Sequence, residues 1–132
     1  MFSIGIAAER SGVMIETIRY YEREGIVPKP GRSTSGRRIY TDDEIARLRF
    51  VKRCRDLGFA IPDAKSLLGL TDGSQDRCSS ARTIAEKHLQ SVQKKIRDLM
   101  QMEQSLADLV TRCSDDDEDC PIISELLSAP EQ

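Results

Sequence analysis

The sequence predicts a mainly α-helical protein in which a small globular N-terminal domain is followed by one long helix. Three distributions along the 132 residues carry this expectation. All six aromatics (Phe2, Tyr20, Tyr21, Tyr40, Phe50, Phe59) lie in the first 59 positions. All eight glycines lie at or before Gly73, and no proline occurs between Pro62 and Pro121. Residues 74–120 therefore lack both helix breakers and large core aromatics. Charge divides at the same place. Residues 1–70 carry 13 basic and 9 acidic side chains, and residues 71–132 carry 7 and 13, a contrast hidden by the formal net charge of −2. Such a split suggests two jobs in one chain. No apolar run approaches the roughly 18–20 residues that span a bilayer, and the N-terminus has no signal-peptide pattern, so a cytoplasmic protein with no membrane partner is expected.

Residues 4–9 (IGIAAE) read as a short helix stopped near Ser11-Gly12, where Gly12 can supply a positive-φ turn. A second helix is expected from about 15 to 24, closed by Gly25, with Ile15, Ile18 and Tyr21 at helical spacing facing a core. Two short helices joined by a Gly-containing turn form a helix-turn-helix pattern, although any small helical bundle could produce it. Residues 26–40 contain Pro28, Pro30, Gly31 and Gly36 and cannot be helical, and Arg38-Ile39-Tyr40 fits the return strand of a hairpin. Arg32, Arg37 and Arg38 make this hairpin basic, which reads as a wing, with an ordinary solvated loop as the alternative. Thr41-Asp42-Asp43-Glu44 is a capping box that opens a helix carrying Ile45, Leu48, Phe50, Val51 and Leu57, with Gly58 beyond its end. Another short helix is expected from about Pro62 to Leu68.

From about 79 to 112 the chain reads as continuous helix. Leu89, Val92, Ile96, Leu99, Leu106 and Val110 alternate three and four apart, a heptad seam interrupted by Glu103. At about 1.5 Å per residue such a helix is roughly 50 Å long. It cannot bury the seam against itself, and a second copy of the chain is the natural partner, giving a coiled-coil homodimer. The expected organisation is a domain over 1–70, a connector over 71–78, a dimerisation helix over 79–112 and a C-terminal segment over 113–132.

Four cysteines in a reducing compartment favour metal or redox chemistry over structural disulfides, with inert packing as the plain alternative. Cys54 lies within a helix, far in spacing from the others, and is read as packing. Cys78 precedes the long helix and Cys113 follows it, too far apart to share an ion within one chain. In an antiparallel coiled coil centred near Ile96, Cys78 of one chain would fall beside Cys113 of the other, with Cys120 looping back. The heptads alone leave the pairing direction open. Three thiolates suit a soft or borderline divalent ion, whereas two suffice for a +1 ion. The acidic run 115–119 reads as a solvated loop rather than a ligand set, and His88 as a helix-surface residue rather than a fourth ligand. No nucleophile–base constellation or Gly-rich phosphate loop is visible, so no enzyme is expected.

Together, ETIRYYEREG (16–25), GRRIYTDDEIARLRFVKRCRDLGF (36–59), LTDGSQDRC (70–78), AEKHL (85–89) and the terminal C-x6-C-P-I-I (113–123) resemble the MerR family of metal-responsive transcription regulators across nearly the whole chain. The resemblance implies a winged helix-turn-helix DNA-binding domain followed by a long antiparallel dimerisation coiled-coil helix. It implies Arg19 and Tyr20 on the DNA side of helix 15–24, and backbone contacts from Arg37 and Tyr40 with some of Arg32, Ser35 and Arg38. It also implies a homodimer on promoter DNA that represses when apo. On binding metal at Cys78, Cys113 and Cys120, it distorts the DNA so that RNA polymerase can engage both promoter elements. Family sensors of Hg2+, Cd2+, Pb2+ and Zn2+ have Cys where Cys78 stands, and Cu(I), silver and gold sensors usually have Ser. The short C-x6-C spacing is similar to cadmium and lead sensors, whereas the acidic run ending in CPII is similar to copper sensors. A Cu(I)-type sensor and a thiol redox-switch regulator closing Cys113 onto Cys120 are therefore the alternatives within DNA binding. A coiled-coil interaction module is the alternative outside it. Ala60 departs from the family, which often has a Ser cap there.

Overall fold

The computed structural model describes residues 1–73, 75–113 and 120–130. Their order is α1 (Ile4–Ser11), α2 (Ile15–Arg23), β1 (Gly31–Arg32), β2 (Arg38–Ile39), α3 (Asp42–Asp56), α4 (Ile61–Gly69), a 3-10 turn (Leu70–Asp72), α5 (Arg77–Arg112) and α6 (Pro121–Leu127). The chain divides into a unit over residues 1–86 and a second over 87–132. Among the described residues no helix is long and apolar enough to cross a membrane.

In the first unit, local chemistry sets the helix ends. Ser3 Oγ accepts from the Ile6 amide (3.3 Å), and α1 closes on Gly12, whose φ of 78° lets its N–H return to Ala8 O (2.9 Å). Ser11 is buried in the turn, but its hydroxyl oxygen accepts from the Val13 amide (3.2 Å), which satisfies it. Ahead of α3, Thr41 Oγ1 accepts from the Glu44 amide (3.1 Å) as the capping box predicts. The Glu44 carboxylate takes the Thr41 hydroxyl hydrogen (3.1 Å) rather than the cap amide.

One apolar core joins these elements. It contains Ala7, Val13, Ile18, Tyr21, Ile26, Val27, Tyr40, Ile45, Leu48, Val51, Cys54, Phe59, Ala64 and Leu68. Helix α1 packs on α2 and α3, and α3 on α4, while Ile84 brings the start of α5 against the same core. Cys54 belongs to this core, where burial pushes its thiol pKa up, in keeping with its reading as packing. On α2 the buried face is Ile18, Tyr21 and Glu22, with Ile15 exposed. A carboxylate therefore occupies a place expected of an apolar side chain.

Two elements went beyond the expectation: the 3-10 turn, and α6, which opens with Pro121 at its first position, where a missing N–H costs nothing. Helix α4 has Ala60 at its N-cap in extended conformation (φ −65°, ψ 154°), with no side-chain cap hydrogen bond. Ala60→Ser is expected to supply that bond and stabilise the first unit by about 0.5–1 kcal/mol. Thermal unfolding should show it as a rise of about 2–5 °C, and an unchanged melting temperature would contradict the assignment.

In the second unit, α5 buries no residue. Leu89, Ile96, Leu99, Leu106 and Val110 are all more than half exposed, and Val92 is half-buried. Ile123, Leu126 and Leu127 of α6 are exposed as well.

Candidate nucleic-acid interface and thiol sites

Helix α2 and the hairpin β1–β2 meet around a cleft of about 380 Å3 lined by Arg19, Glu22, Arg23, Lys29, Arg32 and Arg38. The amphipathic pattern of α2 turns Ile18 and Tyr21 into the core and leaves Arg19, Tyr20 and Arg23 outward. The hairpin pairs Gly31 with Ile39 and Arg32 with Arg38 in antiparallel register. Its tip is closed by Ser33 N–H to Arg37 O (2.7 Å), Gly36 N–H to Ser33 O (2.9 Å) and Arg37 N–H to Ser33 Oγ (3.2 Å). Arg32 Nη1 donates to Gly36 O (2.9 Å), which lays its guanidinium along the hairpin. Arg37 is exposed and shares a second surface depression with Arg19, Arg32 and Arg38. Five cations around one cleft and a single acid make a surface suited to a polyanion backbone.

Of the expected DNA-facing residues, Arg19, Arg32, Arg37 and Arg38 come together here. Ser35 lies exposed at the hairpin tip, its hydroxyl 2.9 Å from that of Ser33. Tyr20 is 39% exposed on α2, with the Arg23 guanidinium 5.7 Å from its ring centroid.

Tyr40 differs from its expected placement. Its side chain is only 2% exposed, too deep for the backbone contact assigned to it, because its ring completes the core between α2 and α3. Its hydroxyl donates to Glu22 Oε1 at 2.6 Å. Burial first, and then the hydrogen bond to Glu22, push the Tyr40 phenol pKa well above its ordinary value, so it remains a donor. The other Glu22 oxygen, Oε2, lies 3.1 Å from Arg38 Nη1. This is an ionic contact, since neither atom makes a directed hydrogen bond.

Sequence reasoning missed Glu22, Arg23 and Lys29. Arg23 follows Arg19 by one helical turn, a spacing that puts both on one face and would have found it. Glu22 carried no comparable local signal, because its partners lie in the hairpin.

Cys78, Cys113 and Cys120, unlike Cys54, lie outside the core. Cys78, exposed, is the second residue of α5 and borders a shallow apolar depression formed by Phe50, Leu67, Leu70, Thr71 and Ala81. Cys113, exposed, stands just past the end of α5, its amide shared between Leu109 O (3.1 Å) and Val110 O (3.2 Å). Cys120, half-buried, is the N-cap of α6, its carbonyl accepting from the Ser124 amide (2.9 Å). Among the described residues, no three metal-ligating side chains of one chain lie together. His88 is half-buried on α5, and the acidic run 115–119 lies outside the described residues.

Comparison with known proteins agrees with this layout. The family described as "MerR HTH family regulatory protein" matches residues 2–70, and the one described as "MerR, DNA binding" matches residues 45–109. The chain is 39% identical over 128 residues to the mercuric resistance operon regulatory protein of Bacillus cereus, covering 96% of this chain and 97% of that one. The transcription regulator PbrR691 from Ralstonia metallidurans CH34, solved in complex with lead(II), is similar with a TM-score of 0.82 at 30% identity, covering 96% of this chain and 99% of that chain. The dual-function regulator MerR from Bacillus megaterium MB1, solved with a mercury(II) ion, has a TM-score of 0.75 at 35% identity, covering 96% and 100%.

Proposed function

The chain belongs to the MerR family of helix-turn-helix transcription regulators, which are not enzymes, and on that premise we propose that it is a repressor–activator switched by a divalent soft metal ion (Cd2+, Pb2+, Hg2+ or Zn2+). Without metal it holds a metal-resistance promoter repressed; with metal it distorts the DNA so that RNA polymerase can engage both promoter elements. Residues 1–70 bind the DNA, 71–78 connect, 79–112 dimerise and 113–132 receive the metal.

The observation that carries the metal reading is the set of three core-excluded thiols, Cys78, Cys113 and Cys120, at the two ends of α5 and the start of α6. Sulfur donors are the chemistry that soft and borderline ions select, so the donor set fits the group. An antiparallel pairing of α5 with its copy would bring Cys78 of one protomer beside Cys113 and Cys120 of the partner. The exposed stripe of Leu89, Ile96, Leu99, Leu106 and Val110 supports pairing of α5 with a copy of itself, and the thiols at its two ends favour the antiparallel direction. Bound there, the ion would supply charge neutralisation and a cross-link between protomers. The protein residues do the rest: Arg19 and Tyr20 face the groove, and Arg32, Arg37 and Arg38 face phosphate from the wing.

The test is a promoter reporter challenged with cadmium, lead, mercury, zinc and copper salts, with and without Cys78→Ser. Induction by one or more divalent ions that is lost in Cys78→Ser is the expected outcome. Induction by copper alone, unaffected by that substitution, would make Cys113 and Cys120 a two-thiolate Cu(I) site. That second reading is favoured by the acidic run ending in Cys120-Pro121-Ile122-Ile123. Protein–DNA affinity should fall steeply with salt concentration, and the absence of DNA binding at low salt would sink both readings.

A further inference from the structure

We propose that Glu22 is the positioning residue of the wing: its buried carboxylate, carried on α2, straps the hairpin through Tyr40 and Arg38 and thereby sets where the wing arginines stand relative to Arg19. The inference rests on α2 and the wing being the DNA-binding surface, and it places Tyr40 and Arg38 in support of that surface.

The wing needs such a strap. Its strands are two residues each, and a two-stranded hairpin of that size is marginal by itself. Main-chain bonds between Phe2 and Tyr40 (2.9 and 2.7 Å) tie its C-terminal end to the N-terminus. The link to α2 is made by side chains, and Glu22 makes it with both oxygens, one toward the Tyr40 hydroxyl and one toward Arg38.

Glu22 also occupies a costly place. Its side chain is 3% exposed, and a carboxylate is buried at that depth only when it is paired and hydrogen-bonded. A stability requirement alone would be met more simply by an apolar side chain on this face of α2. What a carboxylate adds is a two-sided hold, because it accepts from a hydroxyl eighteen residues away and pairs ionically with a guanidinium sixteen residues away.

The functional consequence follows from the helix. Arg19 precedes Glu22 by three residues and lines the same cleft as Arg32 and Arg38. With the strap closed, the groove-facing and phosphate-facing cations are held at one spacing before DNA arrives, so less freedom is lost on binding. With it open, the hairpin must be ordered by the DNA itself.

The test uses the full-length protein and a fluorescein-labelled duplex from the promoter region beside its own coding sequence. Tyr40→Phe keeps the ring and removes one hydrogen bond; Glu22→Gln keeps an acceptor and removes the charge. Each is expected to weaken binding about five- to tenfold, the size of one such bond. The plot of log affinity against log salt should become shallower by about 1 for each phosphate that the wing no longer reaches. Arg37→Ala, which weakens the unmodified protein, should add less than about a twofold loss to Tyr40→Phe, because the two act through the same wing. A purely structural Tyr40 would lower the melting temperature and leave the salt slope and the Arg37→Ala effect intact, and that result overturns the proposal. Amide exchange at Ser33 and Gly36 in the free protein reads the strap without DNA, and unchanged exchange in both variants also overturns it. Faster exchange in a protein that binds no DNA would instead keep the strap and sink the functional reading.

Discussion

Cys113→Ser or Cys120→Ser is expected to abolish metal-induced transcription and to lower metal affinity by about 100-fold or more. The magnitude follows from thiolate sites in which about 10–16 kcal/mol is distributed over four ligands, so that each ligand carries roughly 3 kcal/mol. Serine is nearly isosteric but offers a hard, protonated oxygen in place of a soft thiolate. The check is a competitive titration against a chelator of known affinity, with bound metal counted per protomer. One ion per protomer is expected for the reduced protein, and none held tightly after either substitution. Cys54→Ala is the control: Cys54 is a buried core residue, so its removal should lower stability and leave metal stoichiometry unchanged. Wild-type affinity in Cys113→Ser would remove the thiol site and leave the DNA-binding assignment standing. Apo-state DNA binding should be unaffected, because neither cysteine belongs to the basic cleft.

Ile96→Asp is expected to raise the dimer dissociation constant at least about 1,000-fold, since it places two unpaired carboxylates in a seam that would otherwise exclude water. Ile96 is 51% exposed in the single chain, so the substitution costs the protomer little beyond a fraction of a kcal/mol in helix propensity. Sedimentation across a concentration series reads the change directly. DNA affinity should fall with it, by about 100-fold or more, because two linked domains on one operator gain from effective concentration and a lone domain does not. The melting transition of the first unit should persist, since its core includes no residue beyond Ile84. A variant that still sediments as a dimer would locate the interface away from the α5 stripe. Asp at Lys94 or Arg97, off the seam, should leave the dimer intact.

The elements legible from the sequence are those whose cause is local. Gly12, Gly25 and Gly58, with φ of 78°, 70° and 86°, each stand where a helix was expected to stop, because an L side chain is strained there. Thr41 and Glu44 opened α3 where the capping box put it. The absence of Gly and Pro between 74 and 120 foretold α5, which begins at Arg77, two residues before the expected start. Helix α6 was not foreseen, since seven residues of PIISELL carry too little periodicity to distinguish helix from tail. The basic cleft was partly legible. Arginines in a Pro- and Gly-broken stretch announce a surface, and Arg19 stood out by its helix, but Arg23 and Lys29 joined only when the two elements were seen together.

The sequence by itself determined the class of protein, the ends of α1, α2 and α3, and the separation of a basic N-terminal half from a thiol-bearing acidic half. These depend on residue type, spacing and chain entropy within a few positions. Tertiary structure alone decided the placement of Glu22, Arg38 and Tyr40. An acid within a basic motif reads as a solvated helix residue, and a tyrosine beside arginines reads as a contact. Folding brings Glu22 within 2.6 Å of a hydroxyl eighteen residues away and buries both. Desolvation then makes Glu22 and Tyr40 an internal pair with the partly exposed Arg38 at its edge, because a buried charge must find its partners wherever the chain supplies them.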